Sequence, residues 1–142
     1  MAFTSVHKIR FDDVDGAGIV YYPHFFHLCH QALEDFFDTA APLSYPELIR
    51  DRRLGLPTVA IESSFTSPLT YGDTAVVSMS VERIGTSSVV LGYKITRKAT
   101  GDVCFTARIT TVLMHLDTQK ATPLTPELRK VLEGTLVEPR GT

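Results

Sequence analysis

Between Pro23 and Ala40 the sequence reads PHFFHLCHQALEDFFDTA, and the period of this stretch decides the fold. Phe25, Cys29, Ala32, Phe36 and Ala40 recur three or four residues apart, with Phe26, Leu33 and Phe37 beside them. That spacing predicts a helix with one broad apolar stripe. A stripe this wide needs cover from other parts of the chain, so the helix is expected to be substantially buried. Pro23 suits its first turn, where a missing N–H breaks no ladder bond.

Downstream, the period changes. PLSYPELIRDRRLGLP (42–57) reads as a connection with a short helix start at SYPEL, closed by Gly55 and Pro57. After Pro57 the apolar residues alternate. Val59, Ile61, Ser63 and Phe65 share one face, as do Ala75, Val77, Met79 and Val81. Val89, Leu91, Tyr93 and Ile95 repeat the pattern, and Val103, Phe105, Ala107, Ile109, Thr111 and Leu113 close the run. SPLTYGD, RIGTSS and KATGD mark the turns between these antiparallel strands. Tyr71, Gly72 and Asp73 in the first of them read as turn chemistry. TPELRKVLEG predicts a terminal helix, with Thr125 as N-cap, Pro126 first and Gly134 as the stop. Upstream, VHKIRFDDV reads as a short strand with Val6, Ile9 and Phe11 as its apolar residues.

The whole chain, residues 1–142, reads as one domain large enough for a real core. It is 44% hydrophobic and 21% charged, with a net charge of −2, so no global basic field points to nucleic acid. No apolar run approaches the length of a membrane-spanning helix. MAFTSVHKIRF lacks the apolar centre of a signal peptide. Cys29 and Cys104 lie far apart in apolar segments and read as reduced core residues, which points to a cytoplasmic protein.

The order strand, buried helix, four strands, terminal helix has a simple α+β solution. One curved antiparallel sheet wraps the long helix, and each covers the other's apolar face. The stretch joining first strand to helix is FDDVDGAGIVYYPHFF (11–26). DVDGAGIVYYPHFF resembles the strand–Asp–small–Gly–Ile/Val–aromatic–helix signature of the hotdog superfamily, in its 4-hydroxybenzoyl-CoA thioesterase branch. That branch includes the small acyl-CoA thioesterases of the Tol-Pal cluster. FTSPLTYGDTAVV and IGTSSVVLGYKI resemble the same family's second and third strand boundaries. The resemblance covers nearly the whole chain.

It implies a thioesterase hydrolysing an acyl-CoA to free acid and CoA, with no cofactor. The acyl group would be an aroyl such as 4-hydroxybenzoyl, or a short or medium chain. The family's catalytic carboxylate falls on Asp15, acting as nucleophile or as general base on water. Asp12 and Asp13 precede it and are not matched to that role. Its oxyanion donor is the backbone N–H of Tyr22, an interaction worth roughly 3–4 kcal/mol in other enzymes. Gly16 and Gly18 allow substrate to approach the backbone closely. Phe25, Phe26 and Leu28 would offer an apolar acyl surface. His30 stands where aroyl-specific relatives place an acid that reads a ring hydroxyl. Thr86, Ser87 and Ser88 match the family's strand boundary near the CoA-binding region, with Arg83 the cation close by, although IGTSS replaces most of the basic cluster of some relatives. Arg97, Lys98 or Arg108 are the other cations that could meet phosphate. In this family the active site lies at a subunit interface, which implies a dimer or a dimer of dimers.

Rival readings have less support. Asp12, Asp13 and Asp15 lack the following oxygen ligands of a calcium loop. His24, His27 and His30 lack zinc-site spacing and read as a polar helix face. A hotdog hydratase or dehydratase would want a histidine about five residues after the acid, where Val20 stands. A non-catalytic acyl-CoA-binding module would have no need of the full Asp15–Gly18 stretch.

Overall fold

The predicted helix forms as α1, His24–Thr39. The computed structural model describes residues 2–41 and 43–136. In it Phe25, Leu28, Cys29, Ala32, Leu33, Phe36 and Phe37 of α1 are buried. Ala40, expected to continue the stripe, ends it instead: it is exposed, and its N–H donates to the Phe36 carbonyl at 2.8 Å.

The remaining long elements are β1 (Phe3–Lys8), β3 (Thr58–Phe65), β4 (Thr74–Ile84), β5 (Ser88–Arg97) and β6 (Val103–Val112). They form one antiparallel sheet in the order β1-β4-β5-β6-β3. A small second sheet joins β2 (Leu54–Gly55), β7 (Met114–His115) and β8 (Lys120–Ala121). α1 crosses the inner face of the large sheet. Near its start Phe25 stacks on Phe105 of β6, with ring centroids 4.9 Å apart, and near its end Phe36 meets Phe3 of β1 at 5.6 Å. Ala75, Val77, Met79 and Val81 of β4 and Val89, Leu91, Tyr93 and Ile95 of β5 all face this helix side and are buried. Each large apolar side chain so buried stabilises the fold by roughly 1.5–3 kcal/mol.

Local chemistry sets the ends of the elements. Ser44 and Glu47 form a reciprocal cap at SYPEL, leading into a wide helical turn at Glu47–Asp51. The terminal helix α2, Pro126–Glu133, starts as expected: Thr125 accepts from the Leu128 N–H, and Gly134 stands at its end. Leu128 and Leu132 face the core.

Three expectations about facing are corrected. Ile9 is buried, but Val6 is 57% exposed and Phe11 77% exposed. β1 takes the opposite phase, directing Ser5 inward, where its hydroxyl donates to the Asp35 carboxylate at 2.6 Å. That bond satisfies a polar group which sequence pattern assigns to solvent. Val103 is exposed because β6 bulges beside it. Ile95 pairs with Phe105 and Thr96 with Val103, so Cys104 is the extra residue and both Cys104 and Phe105 turn inward. The third correction is β3, which alternates as predicted yet is exposed at every residue. It lies at the sheet edge, where Val59 and Ile61 stand open while Phe65 packs on the rings at the start of α1.

Candidate active site

Residues 13–21 form a tight hairpin between β1 and α1. The Asp15 N–H donates to the Ile19 carbonyl and the Tyr21 N–H to the Asp13 carbonyl, both at 3.0 Å, with Val14 paired to Val20. The turn closes through the Gly18 N–H on the Asp15 carbonyl, also at 3.0 Å. Gly18 has φ +78°, the left-handed conformation that a three-residue hairpin loop requires of its last turn residue. The hairpin is tied to the segment before β4 by Val20 N–H to Leu69 carbonyl and Tyr71 N–H to Gly18 carbonyl. That segment is itself pinned by Asp73, whose carboxylate accepts the Thr70 N–H at 2.8 Å and Arg97 Nε at 3.2 Å. The Thr70 N–H, followed by the Thr70 hydroxyl and Arg97, holds the Asp73 carboxyl below the usual range. Tyr71–Asp73 is turn chemistry, as the sequence suggests.

Within the hairpin the three aspartates have different surroundings. Asp13 accepts the Arg10 N–H at 2.8 Å and faces His24 Nδ1 at 3.4 Å, linking the turn before the hairpin to the first residue of α1. Asp12 is exposed. Asp15 is also exposed, and its Oδ1 accepts the Ala17 N–H at 2.8 Å. Its Oδ2 has no partner among the described residues, so one carboxylate oxygen is held in place while the other faces outward. Val20 is buried at the hairpin's inner side. The position where a hydratase would carry its histidine is therefore a core position.

At the start of α1 the N–H groups of His24, Phe25 and Phe26 donate to the carbonyls of Tyr21, Tyr22 and Pro23. Pro23 has no N–H. The Tyr22 N–H makes no hydrogen bond among the described residues, leaving a donor at the positive end of the helix. Around it stands an aromatic cluster. Phe25 and Phe105 are its buried floor, and Phe65, at the end of β3, touches Tyr22, Phe25, Phe26 and Phe105. Leu28 is buried in the core. The alternation in sequence places Phe65 on the helix-facing side of its strand, but its position among four other rings follows only from how β3 meets α1.

The other expected site residues lie apart from this cluster. His30 pairs with Glu34 at 3.1 Å and packs against Tyr45. Arg83, Ser87 and Ser88 flank the β4–β5 turn. β4 begins beside the hairpin and ends at this turn, so the two groups stand roughly 30 Å apart along the strand. Arg129 of α2 reaches the turn, donating to the Gly85 carbonyl at 2.8 Å. Arg97 is bound to Asp73 and Asp102, and Arg108 to Glu82. Arg83 has no carboxylate partner among the described residues. A surface concavity of about 850 Å³ is on the polar outer face of the sheet around Ser78, Ser80 and Gly92, away from Asp15.

The sequence profile of the thioesterase-like superfamily matches residues 9–132. A Rippkaea orientalis protein named 1,4-dihydroxy-2-naphthoyl-CoA hydrolase is 27% identical over 128 residues, which span 89% of this chain and 92% of that one. The crystal structure of a 1,4-dihydroxy-2-naphthoyl-CoA thioesterase from Synechocystis superposes with a TM-score of 0.84 at 25% identity, covering 93% of this chain and 96% of that one. A 4-hydroxybenzoyl CoA thioesterase complexed with 4-hydroxybenzoyl CoA has the same fold, with a TM-score of 0.83 at 21% identity over 92% of this chain and 98% of that one.

Proposed function

The chain belongs to the thioesterase-like superfamily, and from that premise we propose that it hydrolyses an aroyl-CoA or a short- or medium-chain acyl-CoA to the free acid and CoA. The observation that carries this reading is the unpaired Tyr22 N–H at the start of α1, in the same short lead-in as the half-free carboxylate of Asp15. The thioester oxygen accepts from the Tyr22 N–H, and its carbonyl carbon becomes more electrophilic. In one route Asp15 takes a proton from water as the hydroxide adds to that carbon. In the other its free oxygen adds directly, and water later cleaves the mixed anhydride. Either way the carbon–sulfur bond breaks, CoA leaves as thiolate and takes up a proton, and the acid is released.

On this reading residues 1–142 work as one domain in a dimer, with dimers pairing further into tetramers. The open β3 edge supports the dimer. Val59 is 61% exposed and Ile61 47%, and a bare apolar strand edge invites pairing with another copy. Antiparallel pairing of two β3 strands about a twofold axis sets the Phe65 end of one against the Thr58 end of the other. From Thr58 the ladder leads across Thr111 and Val89 to Ile84, beside the turn that carries Arg83, Ser87 and Ser88. The pairing therefore draws the partner's turn toward the end where Asp15 stands, and those residues bind the nucleotide end of CoA.

No helix of the described residues is long and apolar enough to cross a membrane. Cys29, whose thiol is pushed up to about 12 by burial, and Cys104 are free and buried, which supports a cytoplasmic setting. The test is a panel of aroyl- and alkanoyl-CoA thioesters, with released thiol followed by a chromogenic reagent. Turnover of at least one is expected, unchanged after dialysis against EDTA. Inactivity on every member overturns the reading, and activity restored only by a divalent ion overturns its metal-free chemistry.

A further inference from the structure

We infer that Phe65 sets the acyl preference of this enzyme, favouring a flat aromatic acyl group over an alkyl chain of equal size. This rests on the thioesterase reading above and deepens it.

Five rings meet at the start of α1. Phe25 and Phe105 are stacked nearly parallel, 17° from coplanar, and are 4% and 0% exposed, so they belong to the core. Phe65 stands on them, 5.6 Å from Phe25 and 5.1 Å from Phe105, while half of its own surface is open. Tyr22 stands beside it at 6.3 Å with its ring plane 81° away. Tyr22 also carries the unpaired N–H. With the thioester oxygen on that amide, the inferred place of the acyl group is beside these two exposed rings.

In an aroyl thioester the ring is conjugated with the carbonyl, so fixing the carbonyl fixes the ring. It can then meet Phe65 edge-to-face or offset without freezing further torsions. An alkyl chain offers no quadrupole to the rings and must freeze several rotors to cover the same surface. Aromatic pairing beyond area burial corresponds to about twofold to tenfold in affinity. The preference should therefore be of that order and depend on an aromatic side chain at position 65.

The experiment compares kcat/KM for benzoyl-CoA and hexanoyl-CoA in the wild type, Phe65→Leu and Phe65→Tyr, with oligomer size measured by analytical ultracentrifugation. Leu keeps an apolar side chain without a ring, and Tyr keeps the ring. The expected result is a wild-type preference for benzoyl-CoA, lowered about fivefold in Phe65→Leu and retained in Phe65→Tyr, with all three proteins the same size. Equal losses on both substrates would overturn the inference, as would a wild-type preference for hexanoyl-CoA. Dissociation of Phe65→Leu would also overturn it, by making Phe65 an interface residue. Activity elsewhere in the thioester panel but on neither of these two would overturn the inference, whereas inactivity on the whole panel means that the thioesterase reading has failed.

Discussion

Asp15 holds the Ala17 N–H with one oxygen and leaves the other open, whereas Asp13 uses both of its oxygens on Arg10 and His24. On the proposed mechanism this difference separates chemistry from scaffolding within one acidic cluster. Asp15→Asn keeps an acceptor for Ala17 but loses the basic, nucleophilic oxygen. Steady-state assays should show kcat lowered by about 10³ with the fold intact, while Asp12→Asn and Asp13→Asn cost far less. Near-normal turnover in Asp15→Asn would remove the carboxylate from the mechanism. Asp73 tests the support beneath the hairpin. Because the Thr70 N–H holds its carboxyl below the usual range, the folded state is stabilised above the unfolded pKa of about 3.9. That stabilisation is lost as pH falls through the folded value. Denaturant titration of Asp73→Asn should therefore show a loss of roughly 1 kcal/mol at pH 7, allowing for solvent screening, and a gap that closes below about pH 4.

At the scale of elements, the proposed mechanism depends on the start of α1. Tyr22→Phe leaves the amide in place and should change kcat little. Tyr22→Pro removes it and should lower kcat by about 10²–10³ in protein that circular dichroism and gel filtration show to be folded and assembled. Folded Tyr22→Pro enzyme with full activity would place the oxyanion elsewhere. α1, β4, β5 and β6 were legible in the sequence because they are buried on one face, and burial imposes a clean period of 3.6 or 2. The terminal helix was legible from Thr125, Pro126 and Gly134. The phase of β1 was not, since Ser5 turns inward toward an aspartate thirty positions away. Nor was the bulge at Cys104, an offset between two strands with no mark in either alone.

Across the whole molecule, the lone chain leaves two things unfinished. Its β3 edge is bare, and its expected CoA-binding turn lies at the far end of the sheet from Asp15. The motifs were readable as residues, but the distance between them was not, because it depends on the direction in which β4 leaves the hairpin. The proposed twofold pairing of β3 would answer both, and its central claim is that Asp15 of one chain works with the turn of its partner. Mixed subunits test it directly. Asp15→Asn and Arg83→Glu are refolded separately and as an equal mixture, then assayed on benzoyl-CoA below KM. Each parent is expected to be weak. The mixture should recover up to about a quarter of wild-type activity, since half of the random dimers are mixed and each mixed dimer has one intact site. A mixture no more active than the average of its parents would contradict the account.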